Sequence, residues 1–214
     1  MVRRSSSWHI SKCACMLSKK EQIWRHILEQ ALGQERVLHG EQKKIARALN
    51  VSTSTVFNAL KIPRASGAIE VRGRGFRIRN IEKLLTLWAT QRNIARDIVV
   101  HTRVEGTVRA IEQRMPSHGI FGGYSAFKLR YHDAPADYDK VYMYCTPAHC
   151  AEMRKRFVKA KGAPNVFILE ADEGLAAYGG VIPDSQLFAD LWNLSDWYAG
   201  DFLKAVKQKI FPSP

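Results

Sequence analysis

The stretch Lys44-Ile-Ala-Arg-Ala-Leu-Asn-Val-Ser-Thr-Ser-Thr-Val-Phe-Asn-Ala-Leu-Lys61 holds two helical apolar patterns separated by a three-residue break. Upstream of the break, Ile45, Ala46 and Leu49 recur with helical spacing, which predicts a helix over 41–49 with Lys43, Lys44 and Arg47 pointing elsewhere. Asn50-Val51-Ser52 reads as a short turn, and Ser52 is a good N-cap for a further helix over 53–61. Ala46 is small where two helices would cross closely, Val51 would plug the turn, and Val56 with Leu60 would pin the second helix. At about 100° per residue, Val56, Ala59 and Leu60 fall on one side of that helix, with Ser54, Asn58 and Lys61 opposite.

This run resembles the helix-turn-helix of bacterial and archaeal transcription regulators. The resemblance implies that Thr53, Ser54, Thr55, Phe57, Asn58 and Lys61 face the major groove of double-stranded DNA. Asn58 can pair bidentately with adenine, Lys61 can reach guanine or phosphate, and Phe57 can meet a thymine methyl group. The hydroxyls of Thr53, Ser54 and Thr55 suit phosphate oxygens or either class of base. Helices of this kind also serve protein contacts or plain packing, so that alternative stays open.

Outward from this core, Ile23, Trp24, Ile27, Leu28, Ala31 and Leu32 predict an earlier helix that Ser18 can cap and Gly33 ends. Downstream, Ala68-Ile-Glu-Val-Arg-Gly-Arg-Gly-Phe-Arg-Ile-Arg79 alternates like a hairpin: Ile69, Val71, Phe76 and Ile78 share a face and Arg72 to Gly75 makes the tip. Arg72 and Arg74 then stand at the end of a ribbon, with Arg77 and Arg79 along its solvated side, suited to phosphates or the minor groove. Together these elements are expected to form a winged helix-turn-helix domain over 17–95. The alternative for the arginines is an edge strand kept soluble by charge. Gly73-Arg-Gly75 lacks the third glycine and the preceding parallel strand of a dinucleotide-binding turn. A last helix, 81–91, presents Ile81, Leu84, Leu85 and Trp88 on one face and leads to a domain boundary near residue 96.

Charge supports a polyanion partner for this half. The net charge is +13; residues 1–100 carry 19 basic and 7 acidic side chains, whereas residues 101–214 carry 14 and 13. With 46% hydrophobic and 25% charged residues, the 214-residue chain has globular composition, and its apolar runs fall far short of the ~20 residues that span a bilayer. A cytoplasmic protein without membrane association is expected. Residues 1–16 lack the apolar segment of a signal peptide and are expected to form a disordered basic tail. Cys13, Cys15, Cys145 and Cys150 show no paired C-x2-C motif. A zinc reading through Cys145, His149 and Cys150, with His9, Cys13 and Cys15, is the lesser alternative to free thiols, so neither metal nor cofactor is expected.

Residues 96–214 read as a small mixed α/β (α+β) domain, with strands near 98–100, 120–121, 140–144 and 166–169 between helices. Phe121-Gly122-Gly123-Tyr124-Ser125 followed by Asp137-Tyr138-Asp139 resembles the nucleotidyltransferase order of a Gly-rich helix start and paired metal-binding carboxylates. Lys140 stands where an apolar strand residue is expected, the aspartates precede the strand, and a third carboxylate is unclear, although Glu170 and Asp172 follow the next strand. These departures favour a degenerate nucleotidyltransferase-like fold without catalysis. Transfer of nucleotides through Gly122, Gly123, Asp137 and Asp139 is the enzymatic alternative, and a ligand-sensing regulator is another.

Taken with Lys140-Val-Tyr-Met-Tyr144 and the terminal Pro183-x2-Gln186-Leu-Phe-x-Asp190-Leu-Trp192, the arrangement resembles the AbiEi-type antitoxins of abortive-infection toxin–antitoxin systems over about residues 17–211. The resemblance implies a regulator that represses its own operon and whose second domain counteracts a cognate nucleotidyltransferase-like toxin. No catalytic residues carry over. Gln186, Asp190 and Trp192 match the terminal motif, but the residues themselves read as structural: Leu187, Leu191 and the Trp192 ring as a core stripe, Asp190 as a cap or local pair. Arg154, Lys155, Arg156, Lys159 and Lys161 read as a solvated helix face that an acidic partner or DNA can also contact. A homodimer is compatible with these readings, although no heptad argues for one.

Overall fold

A computed structural model of the chain describes residues 17–157 and 161–212, so the expected tail, with His9, Cys13 and Cys15, lies outside the described residues. The fold is mixed α/β of the α+β kind, with two separate sheets. Helix α1 (Lys19–Leu32) starts at a reciprocal cap: the Ser18 hydroxyl accepts from the Glu21 N–H, and the Glu21 carboxylate accepts from the Ser18 N–H at 3.1 Å. It buries Ile23, Trp24, Ile27, Leu28 and Ala31. Strand β1 (His39–Glu41) runs into α2 (Gln42–Ala48), and Asn50, at φ 49°, turns the chain so that the Val51 N–H reaches the Ala46 carbonyl. Helix α3 (Thr53–Ala65) follows, capped by the Ser52 hydroxyl, which accepts from the Thr55 N–H at 3.1 Å.

α3 is four residues longer than the sequence predicts and carries Pro63 inside it. A proline has no N–H for the carbonyl four residues back, here Ala59. The indole N–H of Trp24 donates to that carbonyl at 2.8 Å, so the helix continues without an orphaned acceptor.

Strands β2 (Ile69–Arg72) and β3 (Gly75–Ile78) form the expected hairpin, with Gly73 at φ 57° in its turn. β1 adds to the other side of β3, giving the antiparallel order β1-β3-β2. Gly40 lies opposite Phe76, and a Cβ there would come within 2.8 Å of the Phe76 ring. Ile69, Phe76 and Ile78 face the helices and are buried, while Val71 packs half-buried beside them.

Helix α4 (Ile81–Gln91), capped by Asn80, leads through a 3-10 turn (Ile94–Asp97) into the second sheet. That sheet contains β4 (Ile98–Thr102), β5 (Ile120–Gly122), β6 (Val141–Cys145) and β7 (Val166–Glu170) in the order β4-β7-β6-β5, with only β6 and β7 parallel. α5 (Val108–Gln113) and α7 (Pro147–Arg156) cover one face, where Val141, Met143, Cys145, Val166 and Ile168 meet Ile111, Met153 and Phe157. Tyr142, Tyr144 and Leu169 point the other way, toward α6 (Gly123–Tyr131), α8 (Asp184–Trp192) and α9 (Ala199–Ile210). The same apolar cluster continues through α8 to α4 and α1, so it draws on residues from both sides of position 96.

Buried ions join these parts. Arg25 on α1 grips Asp172 with two bonds of 2.8 and 2.6 Å and donates to the Gln186 side chain on α8 at 2.8 Å. Arg92 donates to Asp190 at 2.9 Å and to the Tyr144 hydroxyl at 3.0 Å, and lies 2.7 Å from Asp97. Asp190 therefore pairs across the molecule and not locally, a correction to the sequence reading. Trp192 is a second correction. Leu187, Phe188 and Leu191 fill the core stripe of α8, and Trp192, the last residue of that helix, is 43% exposed.

Candidate nucleic-acid interface

Helix α3 turns Val56, Ala59 and Leu60 inward, so the opposite face is left to solvent. Thr53, Ser54, Phe57, Asn58 and Lys61 are exposed there and Thr55 is half-buried. The Ser52 hydroxyl lies 2.8 Å from both the Ser54 and the Thr55 hydroxyls, so these two are committed to the helix start. Lys61 leans over the Phe57 ring, its Nζ 5.7 Å from the ring centre. Because α3 continues past Lys61, Ile62 and Arg64 are also exposed on it. Sequence reasoning missed both by ending the helix at Lys61, although positions 57, 58, 61, 62 and 64 continue the outward spacing.

The hairpin presents Arg72, Arg74, Arg77 and Arg79, all exposed. Glu70 lies directly opposite Arg77 in the ladder and receives hydrogen bonds from both Arg72 and Arg79, one to each carboxylate oxygen. The Arg72 bond, helped by Arg79, holds the Glu70 carboxyl below the usual carboxylate range. Arg74 and Arg77 make no ion pair among the described residues. The sequence reading passed over Glu70, a single acid within a basic run, and so grouped Arg72 with Arg74 at the tip and Arg77 with Arg79 along the side, whereas Glu70 groups Arg72 with Arg79.

Between α1, α2 and the three-stranded sheet lies an open groove of about 630 Å³, with Ile45 and Phe76 among its apolar lining and Lys44, Arg72 and Arg77 among its exposed residues. Burial, and Arg25 beside it, lower the pKa of the His26 ring in this groove from its ordinary imidazole value.

The second constellation is packed differently. Gly122 ends β5 and Gly123, at φ 53°, opens α6. Cβ atoms on these glycines would come within 2.9 Å of the Tyr144 and Tyr142 rings respectively, so aromatic rings fill the space beside the turn. Asp137 and Asp139 are exposed in the loop ahead of β6; Asp139 accepts from the Tyr198 hydroxyl at 2.5 Å. Asp172 is held by Arg25 and Glu170 ends β7. Lys140 pairs with Asp196, which also accepts from the Tyr124 hydroxyl.

Cys145 and Cys150 are both buried, and burial pushes the Cys145 thiol up to about 12, so it carries no thiolate at neutral pH. No group of three or more His, Cys, Asp or Glu side chains among the described residues is arranged to hold a metal ion. Nor, among the described residues, is any helix long and apolar enough to cross a membrane. Comparison with protein-family models, with curated proteins and with solved structures finds no match to this chain.

Proposed function

We propose that the chain is a DNA-binding transcriptional regulator in which α3 enters the major groove and the β2–β3 hairpin acts as a wing along the backbone. Three features support a winged helix-turn-helix: the element order α1-β1-α2-α3-β2-β3, the strand order β1-β3-β2, and an α3 pinned by its inner face to α1. The observation that carries the reading is the exposed, uncommitted chemistry on both elements: Asn58 and Lys61 on α3, and Arg74 and Arg77 on the hairpin. These are the side-chain types that read base edges and phosphates respectively.

The second half serves as the regulatory part in this proposal. The aromatic rings beside Gly122 and Gly123 and the tethered Asp139 support a part that does not transfer nucleotides. Autorepression of a toxin–antitoxin operon is the finer form of the proposal; it rests on the sequence resemblance and requires a toxin-like reading frame beside the gene. A duplex ligand implies a cytoplasmic protein.

A mobility-shift titration with the DNA upstream of its own gene tests the reading. We expect a complex that forms on that duplex more tightly than on scrambled DNA and weakens steeply with salt. Absence of any complex at low salt overturns the proposal.

A further inference from the structure

We propose that Glu70 occupies the position of a backbone phosphate on the wing and sets how strictly this surface discriminates among duplexes. The inference rests on the DNA-binding reading above and adds to it the residue that limits indiscriminate binding.

Alternation along the hairpin puts Glu70, Arg72, Arg77 and Arg79 on one face. The Glu70 side chain is 30% exposed, while those of Arg72 and Arg79 are 81% and 47% exposed. A single carboxylate thus sits among three guanidinium groups and holds two of them, as a phosphate oxygen pair would. Two consequences follow. Arg72 and Arg79 are ordered before any ligand arrives, which lowers the entropic cost of engaging one. A phosphate approaching this face must also displace Glu70 or bear its repulsion, so contacts by the wing alone are weakened. A duplex that α3 reads well overcomes this cost; one of arbitrary sequence does not.

The test is a salt titration of wild type, Glu70→Gln and Glu70→Asp against a fixed duplex of arbitrary sequence and against the upstream DNA. Glu70→Gln keeps an acceptor and removes the charge. It should tighten binding to the arbitrary duplex about fivefold to tenfold at low salt and steepen the log–log salt slope by about 1–2, while affinity for the upstream DNA rises less. Glu70→Asp, which keeps the charge, should remain near wild type. Thermal melting confirms that each variant is folded. Unchanged or weaker binding of the arbitrary duplex by folded Glu70→Gln, with wild type still binding DNA, overturns this inference alone. If neither protein binds any duplex, the DNA-binding reading falls, and this one with it.

Discussion

The indole N–H of Trp24 donates to the carbonyl of Ala59 at 2.8 Å, in the position where Pro63 leaves a helical acceptor without its donor. The proposed recognition helix therefore depends on a residue of α1. Trp24→Phe should destabilise the fold by about 1–3 kcal/mol for the orphaned carbonyl, in addition to lost packing. Pro63→Ala restores an N–H at the vacant position, so its effect should be more favourable by about 1 kcal/mol in the Trp24→Phe chain than in wild type. Chemical denaturation of the four proteins in this cycle measures the difference. A coupling indistinguishable from zero would show that the indole contributes packing alone.

Arg25 and Asp172 form a bidentate pair in which both side chains are at most 3% exposed. The site is not fully satisfied, since Arg25 Nε and Gln186 Nε2 have no hydrogen-bond partner among the described residues. Removing one charge strands the other, so Asp172→Ala should cost about 3–5 kcal/mol in a denaturant titration. Replacing both partners by apolar residues, Arg25→Met with Asp172→Leu, should cost much less than Asp172→Ala alone. Equal losses in the two chains would mean that packing around Gly174 and Tyr178, and not charge burial, decides the energy.

Asp97 gives the fold a pH dependence with a definite sign. Burial outweighs the pull of Arg92 and raises its carboxyl from 3.8 to about 7. The folded chain thus holds this proton more tightly than the unfolded chain does. The resulting stabilisation is complete below the unfolded value and is lost as the pH rises through about 7. Burial also raises Asp190 and Glu29, which act in the same direction. The slope of melting temperature against pH between 4 and 7 should become flatter in Asp97→Asn. An unchanged slope would assign the effect to the other carboxylates.

What the sequence made legible was what short-range physics decides. Ser18 and Ser52 are cap residues just ahead of apolar periods, and each starts a helix where it stands. Ile69, Val71, Phe76 and Ile78 alternate, and they share one face of a hairpin. β1 was not legible, because His39-Gly40-Glu41 has no alternating apolar pattern and pairs only through its backbone and the room that Gly40 leaves for Phe76. The extension of α3 past Lys61 was not legible either, because the donor that serves the Ala59 carbonyl ahead of Pro63 lies 35 residues upstream of that carbonyl, on Trp24. Arg25 and Arg92 look like two more surface cations in a basic half, since their buried partners are 147 and 98 residues away. At the candidate site the outward residues of α3 and the four arginines were all found exposed or half-buried, but the division made by Glu70 needed the cross-strand register.

That division yields the sharpest expectation for the proposed interface. Each phosphate contact adds about 0.9 to the magnitude of the log–log salt slope. Arg74 and Arg77 are held by no carboxylate among the described residues, whereas Arg72 and Arg79 must first leave Glu70. Arg74→Ala and Arg77→Ala should therefore each flatten the slope by nearly a full contact and weaken binding uniformly across sequences. Arg72→Ala and Arg79→Ala should flatten it less, because a guanidinium already neutralised by Glu70 contributes less than a full phosphate contact. Asn58→Ala should leave the slope unchanged and relax preference at one base pair, by about 1–3 kcal/mol, as expected when a side chain reads a base edge. If Asn58→Ala changes the slope while the arginine variants do not, the helix lies along the backbone and the assignment of α3 to the major groove is wrong.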